Sequence, residues 1–328
     1  MPQPRNPEIS RETCNVKVKH FFMSQSSNRI KIESFKSSPD KPSLSNILIS
    51  LAVFIIKIPF YMFFFGISYS YMVISKFIPN KKVSRIITRI NSVFCFKILQ
   101  ILMGNIYTPI IPTPLIDSYM DTQQFEFPKP GDLIISNFSS YLNLFFLQKS
   151  FSPVFAIPND ETTVFLYSFY DLFLNIIMSK KLTKKNSQSL ESALQYAKNQ
   201  HCPLVIFPEA VPTNGQCVIK FKPFGKGLDT QNLKVYIIGF NHKSPGVSPH
   251  FTHGNGYFHM FLMIGQVYSG LKMKAALPND IPIMENGITT EWIENCRSIL
   301  ARIMRVPLSE DSYIDFLNTY DNVKQHND

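Results

Sequence analysis

The stretch VIFPEAVPTNG at residues 205–215 decides how the rest of this sequence is interpreted. An apolar run typical of a buried strand ends just before Glu209, and a loop of small and polar residues follows. The next segment is basic and contains Lys220, Lys222 and Lys226. Ligand sites of open α/β sheets form outside the carboxyl ends of the strands. The stretch therefore predicts a strand that delivers one carboxylate to a site flanked by lysines.

Strand-like and helix-like segments alternate through the second half of the chain. Five segments have the apolar composition of strands, namely residues 132–137, 154–157, 203–207, 234–240 and 272–277. Helical periodicity is clearest at residues 187–199 and 288–304. This alternation predicts an α/β fold in which a mostly parallel sheet is covered by helices on both faces, preceded by a membrane-embedded helical segment.

The predicted membrane segment is a long apolar stretch. Residues 43–56 carry no charge, Lys57 interrupts them, and residues 58–75 are again uncharged. The second stretch alone nearly reaches the length that spans a bilayer, and Lys57 can extend its stem to the interface. Because Pro59 and Gly66 divide it, a single tilted span and a re-entrant hairpin are both compatible with the pattern. A pair of soluble core helices is the third alternative, although it would leave no polar face for solvent.

A basic cluster follows the apolar stretch directly. It consists of Lys76, Lys81, Lys82, Arg85 and Arg89. Lys and Arg concentrate on the cytoplasmic side of membrane segments. The apolar stripe within residues 86–98 predicts a helix that lies in the membrane interface. A proline linker is expected after it, at Pro109, Pro112 and Pro114.

The chain therefore divides into five predicted parts. They are a disordered polar arm at residues 1–42, the membrane segment at 43–79, the basic interfacial helix and proline linker at 80–115, the α/β domain at 116–305 and a polar tail at 306–328.

Composition constrains the partners and the compartment. A formal charge of +10 favours an anionic partner, and phospholipid headgroups fit better than nucleic acid because the basic residues accompany a long apolar stretch. The sequence has no zinc-finger spacing and no basic helix of a nucleic-acid reader, and general solubility is the alternative explanation of the charge. The five cysteines are odd in number and form no C-x-x-C pair, which favours a reducing compartment.

Two blocks of this sequence resemble those of glycerolipid acyltransferases, the family that transfers a fatty acyl group from coenzyme A to a glycerol hydroxyl. Residues 205–215 resemble the F-P-E-G-T block, with Ala210 and Val211 in place of Gly and Thr. Residues 134–143, IISNFSSYLN, resemble the strand and turn that carry the N-H-x-x-x-x-D block. The resemblance implies that both blocks are neighbours in the fold and line one crevice, and that residues 116–305 form an acyltransferase-like domain.

The first block is degenerate at both of its chemical positions. In the family, its His is the general base that takes the proton from the acceptor hydroxyl, and its Asp orients the imidazole. Here Phe138 stands at the His position and Asn143 at the Asp position. Since phenylalanine accepts no proton, neither position is assigned a catalytic role. The chain is either an enzyme with another route for this proton or an inactive relative.

A narrower likeness is to the fungal lysophosphatidic acid:oleoyl-CoA acyltransferase group, which also lacks the His of the first block. The shared features are IPND at residues 157–160, TNGQCVIKF at 213–221 and a membrane segment before the domain. The resemblance covers roughly residues 44–305. It implies acyl-CoA-dependent transfer to a lysophospholipid, with lysophosphatidic acid as the favoured acceptor, in phospholipid and triacylglycerol synthesis. The alternatives are an inactive member that binds acyl-CoA or lysolipid as a membrane scaffold or regulator, and an anchored protein whose domain only packs against other proteins.

The resemblance also implies binding residues, partners and a location. The acceptor would be bound by Glu209, Thr213, Asn214 and Gly215, and phosphate by Lys180, Lys220 and Lys222. For Glu209 the alternative is a structural cap, and for Lys180 it is a solvated basic loop. The expected partners are membrane lipids, acyl-CoA as co-substrate and a lysophospholipid, with no nucleic acid, metal or cofactor. The expected location is the endoplasmic reticulum membrane and/or a lipid droplet, with the domain facing the cytoplasm.

Four of the seven histidines lie close together in the sequence. They are His242, His250, His253 and His259. No Cys, Asp or Glu lies between them, which argues against a metal site of mixed ligands. A second hypothesis is that one of these histidines replaces the base that the first block lacks.

Overall fold

The computed structural model describes eight ranges of the chain, residues 44–106, 108–115, 125–182, 187–231, 233–243, 247–252, 255–284 and 287–315. The predicted polar arm, His253 and most of the predicted polar tail lie outside these ranges. Within them the chain forms two long helices and then a helix-covered sheet, in the order that the sequence predicts.

A mixed sheet forms the centre of the described α/β region. Its strands are β1 (Ile110–Thr113), β2 (Leu133–Ser136), β3 (Val154–Pro158), β4 (Thr163–Tyr167), β5 (Gln188–Ser189), β6 (Leu204–Ile206), β7 (Val235–Lys243) and β8 (Gly270–Ala276). Their spatial order is β1-β8-β7-β2-β6-β3-β4-β5. The four central strands β7, β2, β6 and β3 run parallel, whereas β4, β5 and β8 join by antiparallel pairing. The carboxyl ends of β2, β6 and β7 therefore meet at one edge of the sheet.

Helices cover this sheet on both faces. They are α3 (Tyr141–Phe151), α4 (Phe169–Ile177), α5 (Leu190–Asn199), α6 (Gly256–Ile264) and α7 (Thr290–Met304), with a short 3-10 helix at Pro278–Asp280. Successive side chains of a strand point to opposite faces. Accordingly, Ile134 of β2 lies in one buried apolar cluster with α3 and α4, whereas Leu133 and Ile135 lie in a second cluster with α5 and α7. The predicted fold class, a mostly parallel sheet between layers of helices, is confirmed.

The apolar stretch before the sheet is one uninterrupted helix, α1 (Leu44–Lys76). Its 33 residues give a length of about 50 Å at about 1.5 Å per residue, which exceeds the ~30 Å hydrocarbon core of a bilayer. Because the helix continues through Pro59 and Gly66, the hairpin alternative is wrong as a description of this segment. Residues Ile47–Lys76 are long and apolar enough to cross a membrane, which is a weak indication by itself. Membrane insertion stays a prediction.

Helix α1 packs against α2 (Lys81–Leu102) and α6 but leaves much of its apolar surface uncovered. Its exposed large side chains include Leu48, Ile49, Ile55, Ile56, Phe60, Met62 and Phe63. An apolar surface of this extent marks a membrane or partner contact. Lys57 Nζ donates a hydrogen bond to the carbonyl oxygen of Gln266, 2.6 Å away in the turn before β8. This charge therefore fastens α1 to the α/β region.

Two segments expected to be irregular belong to the fold. Residues 110–113, expected as a linker, form edge strand β1 beside β8. Pro112 fits an edge strand, where the missing N–H removes no bond from the ladder. The start of the predicted tail is also attached, since Ser309 N–H donates to Val218 O at 2.9 Å and Lys220 N–H donates to Asp311 O at 2.8 Å. The division of the chain into five domains stays a prediction.

Candidate active site

The loop after β2, residues 137–140 (the β2 loop), is held at the carboxyl edge by Asn137. The amide of Asn137 copies a ladder pairing with β7, since its Oδ1 accepts from Phe240 N–H at 2.8 Å and its Nδ2 donates to Phe240 O at 3.3 Å. Ser140 then caps α3 by accepting a hydrogen bond from Leu142 N–H at 3.1 Å. The loop is thus fixed at both ends.

The backbone of Phe138 joins the β2 loop to the loop after β6, residues 207–215 (the β6 loop). Its N–H donates to Glu209 Oε2 at 2.6 Å, and its carbonyl accepts from Thr213 N–H at 2.7 Å. The two sequence blocks are therefore in direct contact, and their predicted proximity is confirmed. Parallel strands β2 and β6 lie side by side, which places both loops at the same edge.

The side chain of Phe138 points away from this junction into the core. It is fully buried and stacks on Phe207, with ring centroids 4.5 Å apart and planes 18° apart. Phe207 in turn stacks on Phe155 of β3. The residue at the family's His position therefore belongs to an aromatic stack beneath the loops.

Glu209 is a buried carboxyl group. Its exposed fraction is 0%, and burial raises its pKa to about 7, against the lowering effects of the Phe138 and Ile219 N–H groups and of the Arg297 charge. Within the described residues its second oxygen, Oε1, has no hydrogen-bond partner. Its observed partner is the backbone N–H of Phe138 in the neighbouring loop, and both the cap and acceptor binding by Glu209 stay predictions.

The other predicted acceptor residues line the end of the β6 loop. Thr213 and Asn214 are buried, and Asn214 Oδ1 accepts from Gln216 N–H at 3.1 Å in a local turn. Gly215 has a φ of 68°, a conformation that suits glycine. Their contact with an acceptor stays a prediction.

The predicted phosphate-binding lysines are dispersed over three settings. Lys220 Nζ pairs with Glu310 Oε2 at 2.8 Å on the surface, and Lys222 Nζ lies 4.7 Å above the ring of Tyr313. Lys180 is exposed in the turn after α4. The described contacts do not bring the three ammonium groups together, and their binding of phosphate stays a prediction.

Asn143 at the start of α3 faces His242 at the end of β7. Asn143 Nδ2 donates to Asn137 O at 3.1 Å and to Ser139 Oγ at 3.3 Å, so its Oδ1 is the atom that meets His242 Nε2 at 2.7 Å. An amide oxygen only accepts, so His242 carries its proton on Nε2 and a lone pair on Nδ1. In the described part of the chain, this buried Nδ1 has no partner.

His250 contacts the β2 loop itself. Its Nδ1 lies 3.3 Å from Ser139 O, so Nδ1 carries the proton and Nε2 the lone pair. Its ring packs edge-to-face on His242, with centroids 5.1 Å apart. A methyl group added at Gly215 would lie 2.3 Å from Cε1 of His250, which shows how closely the ring contacts the β6 loop.

Burial keeps both imidazoles neutral at pH 7. Desolvation, with a smaller contribution from His250, lowers the pKa of His242 well below its ordinary value. Desolvation also lowers the pKa of His250 to about 4, with His259 lowering it further and the Ser139 carbonyl raising it. A neutral imidazole has a lone pair that takes up a proton.

His259 completes the histidine side of the β2 loop. Its Nε2–H donates to Ser248 O at 2.9 Å, and its Nδ1 accepts from Tyr141 Oη at 3.0 Å. Three of the four clustered histidines thus contact the β2 loop, the start of α3 or one another. Among the residues with described positions, no group of three or more His, Cys, Asp or Glu side chains is placed to hold a metal ion.

The convergence of these histidines is only weakly signalled in the sequence. The predicted strand 234–240 ends before His242, whereas β7 continues to Lys243 and carries His242 to the site. Arg297 of α7 gives no sequence signal at all, yet it is buried and donates to the carbonyl oxygens of Val218 and Ser309. His242 reaches the site because β7 pairs with β2, and Arg297 reaches the segment after the β6 loop through its bond to Val218 O.

Comparison with known proteins gives little beyond this geometry. No family model matches the chain, and no curated protein matches its sequence. The chain is similar to a crystal structure of the 1-acyl-sn-glycerophosphate (LPA) acyltransferase PlsC from Thermotoga maritima, with 12% identity, a TM-score of 0.38 and coverage of 80% of this chain and 97% of that chain.

Proposed function

We propose that this chain is an acyl-CoA-dependent acyltransferase that acts on a lysophospholipid, with lysophosphatidic acid as the favoured acceptor. The observation that carries the proposal is the junction at Phe138, whose backbone bonds to Glu209 and Thr213. Two blocks that resemble one family's motifs, in the family's order, meet at the edge of a parallel sheet where ligand sites form. If the two blocks resembled the family's motifs only by chance, nothing would require them to be in contact in the fold.

The reaction needs an acceptor hydroxyl, an acyl thioester and a group that accepts the proton of the hydroxyl. Absence of a general base typically costs about 10²–10⁴-fold in rate. Holding the hydroxyl against the thioester can offset much of this loss. The acceptor's own phosphate is one route for the proton, and the buried imidazoles beside the β2 loop are another.

Helix α1 supports a membrane location for this reaction. Its uncovered apolar surface and the basic residues at its end match a bilayer with anionic headgroups. In this arrangement the acyl chain enters from the lipid and coenzyme A from the aqueous side. The proposed location is the endoplasmic reticulum membrane and/or a lipid droplet, with the sheet on the cytoplasmic side.

A non-catalytic binding protein is the second candidate. It is favoured by the burial of Phe138 in the core and by the backbone contact that occupies Glu209 Oε2. In this case the chain would hold acyl-CoA or a lysolipid as a membrane scaffold or regulator without transferring the acyl group.

One assay separates the two candidates. Purified protein in nanodiscs is incubated with radiolabelled oleoyl-CoA and a panel of lysophospholipids, and the lipid products are separated. The proposed enzyme forms labelled diacyl product, with the largest yield from lysophosphatidic acid, whereas a mock purification does not. Saturable binding of oleoyl-CoA without product supports the binding protein, and absence of both binding and product contradicts both candidates.

A further inference from the structure

The first block lacks a base in sequence, but the same place in the fold contains two neutral imidazoles. His242 comes from β7, and His250 comes from the segment between β7 and α6. His250 contacts Ser139 of the β2 loop, where the family's own base would be carried on residue 138, and His242 contacts Asn143 at the start of α3. Ser140 Oγ also donates to Pro249 O, which fastens the residue next to His250 onto the cap of α3.

His242 is built as a positioning residue. It is only 8% exposed, and its Nε2–H is held by Asn143, whose amide is itself fixed by two acceptors of the β2 loop. Its edge-to-face contact supports the ring of His250 from behind. These hydrogen bonds restrict the orientation of the His242 ring, and the packing of that ring restricts the orientation of His250.

His250 is the imidazole with access to a substrate. It is less buried than His242, and its ring lies between Ser139 of the β2 loop and Gly215 of the β6 loop. The donation of Nδ1–H to Ser139 O leaves the Nε2 lone pair for another partner. The resemblance assigns acceptor binding to residues of the β6 loop and the family's base position to the β2 loop, so this ring lies between the two.

We propose that His250 is the general base of the acyl transfer and that His242 and Asn143 are its positioning residues. This rests on the proposed function. As the acceptor oxygen bonds to the thioester carbonyl carbon, its proton passes to His250 Nε2. The C–S bond then breaks, coenzyme A leaves as thiolate, and the imidazolium returns the proton to give the free thiol and a neutral His250.

The test compares His250→Asn with His201→Asn in the nanodisc assay. Asparagine at 250 retains an N–H near the position of Nδ1 but takes up no proton at neutral pH. His201 follows α5 and precedes β6, so it lies at the opposite edge of the sheet. We expect kcat of His250→Asn to fall by about 10²-fold, the low end for a general base because the pKa of His250 lies below neutral pH, with little change in the Kd for oleoyl-CoA. We expect His201→Asn to behave as wild type.

A glycine pair provides a second and independent test. Gly215→Ala would push the methyl group against His250, whereas Gly227→Ala meets nothing within 4 Å although its φ of 78° imposes similar backbone strain. We expect a large loss of kcat only for Gly215→Ala. In the His250→Asn background, Gly215→Ala should add little further loss, because both changes act on one group.

The outcomes separate the two proposals. Transfer by wild type together with undiminished kcat of His250→Asn overturns the base assignment and leaves the proposed function standing. The base assignment is also overturned if the loss of kcat in the double variant equals the product of the losses in His250→Asn and Gly215→Ala, because the two changes would then act on different groups. Absence of transfer by wild type overturns the proposed function and the base assignment together. Circular dichroism and oleoyl-CoA binding of each variant establish that the comparison is made between folded proteins.

Discussion

The β6 loop and the segment that contains His242 and His250 meet the same β2 loop but differ in what they offer to a reaction. The β6 loop carries the recognisable motif, and its observed polar contacts hold the backbone of Phe138. The histidine segment carries no motif, and it presents unprotonated ring nitrogens beside the same loop. Motif resemblance therefore locates the site, whereas hydrogen bonding shows which groups remain available for chemistry.

This comparison separates two kinds of effect. Changes at Phe138 and at the β6-loop residues that hold its backbone should act mainly on stability. Changes at the histidines, and at Gly215, which lies against His250, should act mainly on kcat. A variant at Phe138 that changes only kcat, or a variant at a histidine that changes only stability, would contradict this distinction.

The first change is Phe138→His, which restores the family's residue at the family's position. The imidazole would replace a ring that is fully buried and stacked on Phe207. We expect the free energy of unfolding to fall by about 2–4 kcal/mol, since aromatic packing is lost and ring nitrogens are buried without partners. We expect no gain in transfer activity, alone or with Asn143→Asp, because the side chain points into the core.

Denaturant unfolding and the transfer assay measure the two parts of this prediction. Phe127→His is the control, since Phe127 is 60% exposed and its replacement should change stability by less than about 0.5 kcal/mol. Activity that appears only after Phe138→His would show that the natural chain binds without reacting, and it would contradict the assignment of His250.

The second change is Glu209→Gln, measured as a function of pH. The folded protein retains a proton on Glu209 up to a pKa of about 7, above its ordinary value of 4.5. The unfolded chain releases that proton earlier, so the contribution of Glu209 to stability falls as pH rises through this window, by about 1.4 kcal/mol per pH unit and about 3 kcal/mol in all. Glutamine has no such titration but still accepts from Phe138 N–H.

The quantity to measure is the difference in unfolding free energy between wild type and Glu209→Gln at pH 5 and pH 8. We expect wild type to lose stability relative to the variant as pH rises. The buried histidines titrate with the opposite sign, but both proteins contain them, so they cancel in the difference. A difference that does not depend on pH would mean that Glu209 is ionised in the folded protein throughout, as a group in contact with solvent would be.

The parallel strands are well predicted from the sequence, and the edges of the sheet are not. Residues 133–135 and 204–207 are continuous apolar runs, because central parallel strands are buried on both faces. β1 contains Pro112, and β5 has only two residues, so neither has a strand-like pattern. The long apolar stretch predicts helix α1 but does not distinguish one helix from a hairpin until its backbone is seen to continue through Pro59.

The candidate site, like the sheet, is predicted from the sequence only in part. Glu209 follows a strong strand signal, so its place at the sheet edge and its proximity to the β2 loop can be foreseen. The pairing of His242 with Asn143 joins residues 99 positions apart, and it depends on the spatial order β7-β2-β6. Strand order is set by crossover connections, which local patterns of apolar residues do not encode.

The third change, Ala210→Gly, tests the backbone of the β6 loop alone. Ala210 has a φ of 60°, the left-handed conformation that costs a residue with a Cβ roughly 1–2 kcal/mol. Glycine removes this cost but makes the unfolded chain more flexible, which subtracts about 0.5–1 kcal/mol. We therefore expect a net stabilisation of about 0.5 kcal/mol with kcat unchanged. Ala197→Gly in α5 is the matched control, because it also removes a buried methyl group but from helical backbone, and it should destabilise by about 1 kcal/mol. Equal destabilisation by both changes would show that the methyl group of Ala210 stabilises the loop by its packing more than its conformation costs.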